Sequence, residues 1–315
     1  MKSSTSIHPE AHFRLGIDSS KLPGFLDACV RKHQWILDGR LGPILKDSPE
    51  SAVTLVDVED GYPRVCVKEL RWRGFWYALK GLLRPTHGVR TYRNGWRLIE
   101  AGIGCAAPLA LFRQWRKFLV TGEWVIMEVI PETQEMDRYI VQRSQQGWSE
   151  AEQSCFSVMF GRFIGNLHSK GIFHADLKTC NILVAGKCRM HSASSAQYEP
   201  GEEAASQCEQ GVQFFLLDYD DVQVFRYIPE RKVIKNLIQI FLSTPSSMGQ
   251  SQRLRFLEEY GVHAGINPLQ RQYLAQKVFD AVRGKEILYI GLDGDVRETW
   301  SDIATETVDQ MKMFS

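Results

Sequence analysis

The run His174-Ala175-Asp176-Leu177-Lys178-Thr179-Cys180-Asn181 sets a carboxylate, an ammonium and an amide at short fixed offsets, and a second run, Asp218-Tyr219-Asp220, follows downstream. These residue types suit phosphoryl transfer, which asks a protein for positioning and charge rather than covalent chemistry: a carboxylate to orient an attacking hydroxyl, oxygen ligands for magnesium, and lysines to offset phosphate charge. Asp176 suits the first task. Asn181 lies five residues on, the offset at which a loop turns its amide back toward a metal ion held near the same carboxylate. Asp218 ends the apolar run Phe214-Phe215-Leu216-Leu217 and so projects at a strand's edge as a second metal ligand. Oxygens from Asn and Asp, with phosphates and water completing the shell, are what magnesium prefers. Lys178 reaches the γ-phosphate and offsets charge during transfer, while His174 braces the loop. A loop hydrogen bond between His174 and Asp176 is the bland alternative, and it leaves the second acidic run unexplained.

Strands and helices must hold these residues in place. Residues 52–58 and 64–70 read as two strands around the turn Glu59-Asp60-Gly61-Tyr62-Pro63, hence a hairpin. A lysine ending Val65-Cys66-Val67-Lys68 is, taken alone, more often a solvated strand residue. With the Asp176 loop downstream, its place in the second hairpin strand fits the lysine that meets the α- and β-phosphates of ATP. A basic helical region runs to about residue 102, and two short strands, 108–112 and 124–130, follow. Met127-Glu128-Val129-Ile130 then stands where the backbone groups of Glu128 and Ile130 meet an adenine ring, although a plain buried strand has the same side chains.

The reading is α+β and bilobal. Residues 1–47 form an N-terminal extension with one helix near 25–37, 48–131 a small antiparallel-sheet lobe, and 132–315 a mainly helical lobe. In the last, Ser149 and Glu152 have capping-box spacing, and Phe156, Met159, Phe160, Phe163, Ile164 and Leu167 recur at helical spacing. Further helices are expected at 233–242, 252–260 and 269–282. Residues 185–213, rich in Ser, Ala, Gln and Glu, read as a flexible insertion between strands 182–184 and 214–217. Within it Cys188, His191 and Cys208 have irregular spacing, and a metal site there is disfavoured.

Bulk properties exclude little. The 315 residues are 44% hydrophobic and 24% charged with a net charge of +1, an ordinary globular balance that names no polyanionic partner. Seven scattered cysteines without a CxxC pair fit free thiols in a reducing compartment. The first eight residues lack the apolar stretch of a signal peptide. The expected location is cytoplasmic or peripheral on a membrane surface. The stretch Arg71-Trp72-Arg73-Gly74-Phe75-Trp76-Tyr77, continued by Lys80, Arg84, Arg90, Arg93 and Arg97, suits either an anionic membrane surface or a solvated helix face over small-lobe core. No accompanying motif points to nucleic acid.

The residues resemble the lipopolysaccharide kinase family (Kdo and heptose kinases), a bacterial branch of the protein-kinase-like fold. The likeness covers roughly residues 50–260. It rests on Gly171-Ile172-Phe173-His174-Ala175-Asp176-Leu177 with Asn181-Ile182-Leu183, and on Leu217-Asp218-Tyr219-Asp220, which is similar to the family's Asp-Phe-Asp. Ala101-Gly102-Ile103, Pro108-Leu109-Ala110 and Arg255-Phe256-Leu257 with Tyr260 add to it. The resemblance implies ATP- and magnesium-dependent phosphorylation of a lipid A–core sugar hydroxyl on the cytoplasmic face of the inner membrane. It implies Asp176 as base, Asn181 and Asp218 as metal ligands, and Lys68 as the nucleotide lysine.

Three departures from protein kinases stand out. No Gly-x-Gly-x-x-Gly precedes the hairpin; Lys46-Asp47-Ser48-Pro49-Glu50-Ser51 takes its place, and its backbone amides are the groups left to cover phosphates. No acid in Thr91-Tyr92-Arg93-Asn94-Gly95 is available to pair with Lys68, Glu100 being the nearest. Asp220 replaces the glycine after the metal aspartate, in agreement with the lipopolysaccharide group. About a dozen residues separate Asp220 from the next helix, with no Ala-Pro-Glu, and this shortness favours a sugar acceptor over a peptide. Lys178 keeps a Ser/Thr protein kinase-like enzyme in view, and the absent glycine loop keeps a catalytically weak binding module in view.

Overall fold

The computed structural model describes residues 2–39, 41–58, 62–71, 74, 84–186 and 211–299. The chain divides into two units, Met1–Ile130 with Asp218–Asp221, and Pro131–Leu217 with Val222–Ser315.

The first unit is built on a six-stranded antiparallel sheet. Its strands are β1 (Lys2–Ile7), β2 (Ile44–Asp47), β3 (Ser51–Val56), β4 (Val65–Leu70), β5 (Pro108–Arg116) and β6 (Leu119–Glu128), in the order β1-β5-β6-β4-β3-β2. The expected hairpin is β3–β4, with Val53 opposite Lys68. Two helices, α1 (Ala11–Leu15) and α2 (Leu22–Gly39), cover the sheet. Leu22, Phe25, Leu26, Cys29 and Ile36 recur at helical spacing and pack on Val56, Val65, Val67, Leu109 and Ile126. The first 47 residues, set apart as an extension in the sequence reading, therefore supply two strands of this sheet and half of its core. A third helix, α3 (His87–Glu100), follows β4 in the chain.

The second unit is mainly helical: α4 (Met136–Gln145), α5 (Glu150–Ser169), α6 (Glu230–Phe241), α7 (Gln250–His263) and α8 (Pro268–Val282). The expected capping box opens α5, with Ser149 Oγ accepting from the Glu152 N–H and Glu152 accepting from the Ser149 N–H. α5 lies close on α7 because Gly161 and Gly165 face it; a Cβ at either would come within 2.7 Å of a backbone oxygen of α7. Phe156, Phe160 and Phe214 form edge and tilted ring contacts in the core beside them. Short strands complete the unit. β7 (Thr133–Glu135), β9 (Ile182–Ala185) and β10 (Gln213–Leu216) form one sheet, and β8 (Ile172–Phe173) pairs with β11 (Gln223–Val224). β12 (Glu286–Ile290) pairs with β13 (Asp295–Thr299).

Among the described residues no helix is long and apolar enough to cross a membrane. Most of the basic aromatic stretch after Arg71, and nearly all of the expected insertion at 185–213, lie outside the described residues. Cys29, Cys66, Cys105 and Cys180 are free thiols, whereas Cys155 is disulfide-bonded, a departure from the expected set of free thiols.

Candidate active site

In the first unit Lys68 and Asp218 come together. Lys68 lies on β4, and its ammonium pairs with the Asp218 carboxylate. Asp218 has a left-handed backbone (φ 50°), a conformation Asp tolerates better than most residues and one that recurs at functional sites. A turn of 3-10 helix, Tyr219–Asp221, follows it. α3 grips this turn from one face. Asn94 donates its amide to the carbonyls of both Tyr219 and Asp220, each at 3.0 Å. His87 meets the Asp220 carboxylate at 2.5 Å, and Arg90 reaches Asp221 at 2.5 Å. The buried Tyr219 hydroxyl donates to Ala106 O at 2.6 Å. Gly95 makes room for its ring: a Cβ there would stand 3.0 Å from Tyr219 and 2.6 Å from Pro108. Burial alone would raise the Asp220 carboxyl, but the His87 hydrogen bond and the charges of Lys68 and Arg90 hold it below the usual carboxylate value.

This arrangement answers two of the sequence departures together. The helix acid sought for Lys68 is not used; Asp218 takes that lysine instead. The polarity of the helix contact is reversed, with α3 carrying His87, Arg90 and Asn94 and the downstream turn carrying the acids. The signal available in the sequence was Asp220 itself, an acid where a glycine is usual.

In the second unit Asp176, Lys178 and Asn181 come together. Asn181 donates its amide nitrogen to Asp176 O at 2.8 Å and Asp176 Oδ2 at 3.2 Å. Lys178 Nζ stands 3.0 Å from Asp176 Oδ1. His174 is buried and accepts the Asp176 N–H at Nδ1 (3.2 Å), so its proton sits on Nε2, which donates to Leu217 O at 2.9 Å. The loop brace and the bland hydrogen bond are thus the same interaction.

Residues that the sequence reading passed over hold the loop from α6. Asn236 donates to His174 O at 2.6 Å. Gln239 donates to Ala175 O at 3.1 Å and to Asp176 Oδ1 at 3.3 Å, and accepts from the Leu177 N–H at 3.3 Å. Ser243, just past the helix, accepts from Thr179 N–H at 2.9 Å. Behind them His168 lies between Tyr260 (3.0 Å) and Asn236 (3.2 Å), and burial pushes its pKa down to about 4 against the opposing hydrogen bond to Asn236. Neutral His168 accepts from the tyrosine and donates to Asn236 Oδ1, leaving the Asn236 amide nitrogen to donate onward to His174 O and to Gln239 Oε1 (3.0 Å). Every donor in the chain Tyr260–His168–Asn236–Gln239–Asp176 then points one way. Polar residues at positions 232, 235, 236 and 239 recur at helical spacing, which a reading of hydrophobic periodicity takes for a solvated face.

One expectation changes. The turn at 48–51 consumes its own amides, since Ser48 N–H donates to Ser51 O (2.9 Å) and Ser51 N–H to Ser48 Oγ (3.2 Å). Arg71 fastens the turn further through Ser48 O at 2.6 Å and Asp47 at 2.8 Å. These amides are not held open for phosphates as a glycine loop would hold them. Glu128 ends β6, gives its N–H to Ala107 O at 2.9 Å and its carboxylate to Arg14 at 3.1 Å. Ile130 is the last residue of the first unit's long segment.

Among the described residues no three of His, Cys, Asp and Glu group closely enough to hold a metal ion by themselves.

Residues 79–197 match the sequence model of the Lipopolysaccharide kinase (Kdo/WaaP) family, a span that includes α3 and the whole Asp176 loop. Comparison with curated proteins gives no match. Among solved structures, the one titled "WaaP in complex with acyl carrier protein" is similar with a TM-score of 0.50 and 16% identity, over 89% of this chain and 99% of that chain. An identity so low speaks for the fold, which is kinase-like. Residues 79–197, which hold the Asp176 loop, are thus similar in sequence to the lipopolysaccharide kinase family, on a chain whose fold is kinase-like.

Proposed function

We propose that the chain transfers the γ-phosphoryl group of ATP to a sugar hydroxyl, of Kdo or heptose, in the lipopolysaccharide inner core. The observation that carries this reading is the fixing of Asp176: its carboxylate is held by Asn181, Lys178 and Gln239 while remaining half exposed to a substrate. Asp176 would orient and accept the proton of the attacking hydroxyl. Lys178 would offset charge on the moving phosphoryl group, and Lys68 would hold the α- and β-phosphates. Asn181, whose amide nitrogen is already engaged, would offer its amide oxygen to magnesium, and Asp218 its carboxylate. Bound magnesium supplies charge neutralisation on the phosphates. The backbone of Glu128–Ile130 would serve the adenine, and the side-chain pair Glu128–Arg14 leaves that role open to the peptide groups that follow.

A catalytically weak binding module is the second reading, favoured by the spent amides of the Ser48–Ser51 turn. Labelled ATP offered with Kdo-lipid A, heptose-bearing core and a generic protein acceptor separates the readings. Label on a core sugar is the expected result, with transfer lost in Asp176→Ala while magnesium-ATP still raises the melting temperature. Label on protein alone would sink the sugar acceptor, and no thermal response to magnesium-ATP would sink the enzyme.

A further inference from the structure

The connection from Asp221 to α6 is short and tied down. Gln223 and Val224 pair with Phe173 and Ile172, and the Phe225 N–H donates to Gly171 O at 2.8 Å. It leaves Arg231 and Lys235, in the first two turns of α6, exposed and Lys232 half-buried. Lys232 and Lys235 border the Asp176 loop. Lys235 Nζ donates to Ala175 O at 2.8 Å, the carbonyl immediately before Asp176. Lys232 Nζ lies 4.2 Å from the centroid of the Phe173 ring, and Lys235 Nζ lies 5.7 Å from the same centroid. Two ammonium groups thus share one aromatic ring, with Lys178 as a third cation on Asp176 itself.

The contacts these two lysines make among the described residues are with neutral groups, although Glu230 shares the first turn of α6 with Lys232. Among the described residues neither Lys232 nor Lys235 forms an ion pair; Lys232 has a neutral partner in Gln223 Oε1 at 3.2 Å. Arg231 and Lys232 also sit in the first turn of α6, the end at which the helix dipole disfavours cations. Like charges are gathered on one ring and at the wrong helix end, yet beside the residue that would receive the acceptor hydroxyl. An anion placed there would relieve the repulsion and meet the helix dipole favourably.

We infer that Lys232 and Lys235 form a subsite for an anionic oxygen group, a carboxylate or phosphate, carried by the acceptor next to the hydroxyl that is phosphorylated. This rests on the sugar-kinase reading above and adds to it a charge requirement on the acceptor. The Lys235 contact with Ala175 O shows how near such a group would be to Asp176. The Phe173 ring holds both ammonium groups by cation–π attraction without neutralising them.

The test is steady-state transfer to Kdo-lipid A by the full chain, comparing the native protein with Lys232→Ala/Lys235→Ala and with Lys235→Arg. The double variant should raise the acceptor KM at least tenfold, leave the KM for ATP unchanged and keep kcat within about threefold, whereas Lys235→Arg should stay near the native protein. Two modified acceptors identify the group: one with its carboxylates methyl-esterified, one with its phosphates removed. The acceptor whose lost charge raises the native KM to the double variant's value names the ligand. An unchanged KM in the double variant, with transfer intact, overturns the subsite alone. An unchanged native KM for both modified acceptors overturns it as well. A fall in kcat with no change in acceptor KM assigns the lysines to loop structure and also overturns it. Failure of the native protein to label any lipopolysaccharide acceptor is a different result, which removes the sugar-kinase reading and the subsite with it.

Discussion

Gln239→Leu tests whether α6 sets the Asp176 carboxylate, the proposed base. Leucine keeps roughly the volume of glutamine and removes four hydrogen bonds: those to Ala175 O and Asp176 Oδ1, and those from Leu177 N–H and the Asn236 amide. The Asn236 bond matters most for stability, because Asn236 is fully buried and a buried donor left unpaired costs about 1–3 kcal/mol. The bond to Asp176 contributes less to folding, since that carboxylate is half exposed and water replaces the lost partner. Its effect belongs to catalysis, where misplacing a reacting group by an ångström costs on the order of 100-fold. We expect Gln239→Leu to destabilise the protein by about 2 kcal/mol and lower kcat by about 10- to 100-fold, with the KM for ATP unchanged. Gln239→Glu, which sets a second carboxylate against Asp176, should be slower still. Steady-state kinetics below the melting transition, with denaturant curves on the same samples, reads both effects. A kcat within twofold of the native value in Gln239→Leu would refute the positioning argument, whatever happens to stability.

Three further outcomes follow from the geometry. His168 has a folded pKa of about 4 against an unfolded value near 6.5, so the unfolded chain binds the extra proton between these values and stability falls as pH drops through that window; the loss between pH 7 and pH 5 should be about 2 kcal/mol by denaturant titration and absent in His168→Gln. Asp220→Asn removes the acceptor for His87 and the charge facing Arg90 and Lys68, and should cost about 2 kcal/mol while weakening ATP binding through the loosened Asp218 turn, read by melting temperature with and without magnesium-ATP. Gly171→Ala forces a left-handed residue (φ 72°) to place a Cβ 1.9 Å from Phe225 O, and should cost about 3 kcal/mol or more or leave the chain insoluble; soluble protein with native stability would contradict the backbone geometry.

How much of this was legible in the sequence depended on what each residue had to do. The Asp176 loop, which the family model also covers, was legible because its residue types and spacing form one pattern. The β3–β4 hairpin and the Ser149 cap were readable because local patterning alone specifies them. β1 was not: Lys2-Ser3-Ser4-Thr5-Ser6-Ile7 carries no apolar alternation and is held by its ladder with β5, a pairing that no local signal announces. The same limit hid α3's partners. Arg90 read as part of a basic stretch, and His87 and Asn94 carried no signal, because the acids at 220 and 221 that meet Arg90 and His87 lie more than a hundred residues away. Gln239 escaped notice because a lone glutamine in a helix has no motif, and its role exists only through the loop it touches.

The turn Asp218–Asp221 bears on how the polypeptide can be cut. It completes the first unit although its neighbours on both sides belong to the second. A fragment ending at Ile130 would therefore be a domain with a piece missing from its interior: Asn94 would lose both of its carbonyl acceptors, Ala106 O its hydroxyl donor, and Gly95 the ring it was small enough to admit. Such a fragment should behave as an unfilled receptor for its own four residues, and splitting the protein into two independently folding halves at that junction should fail.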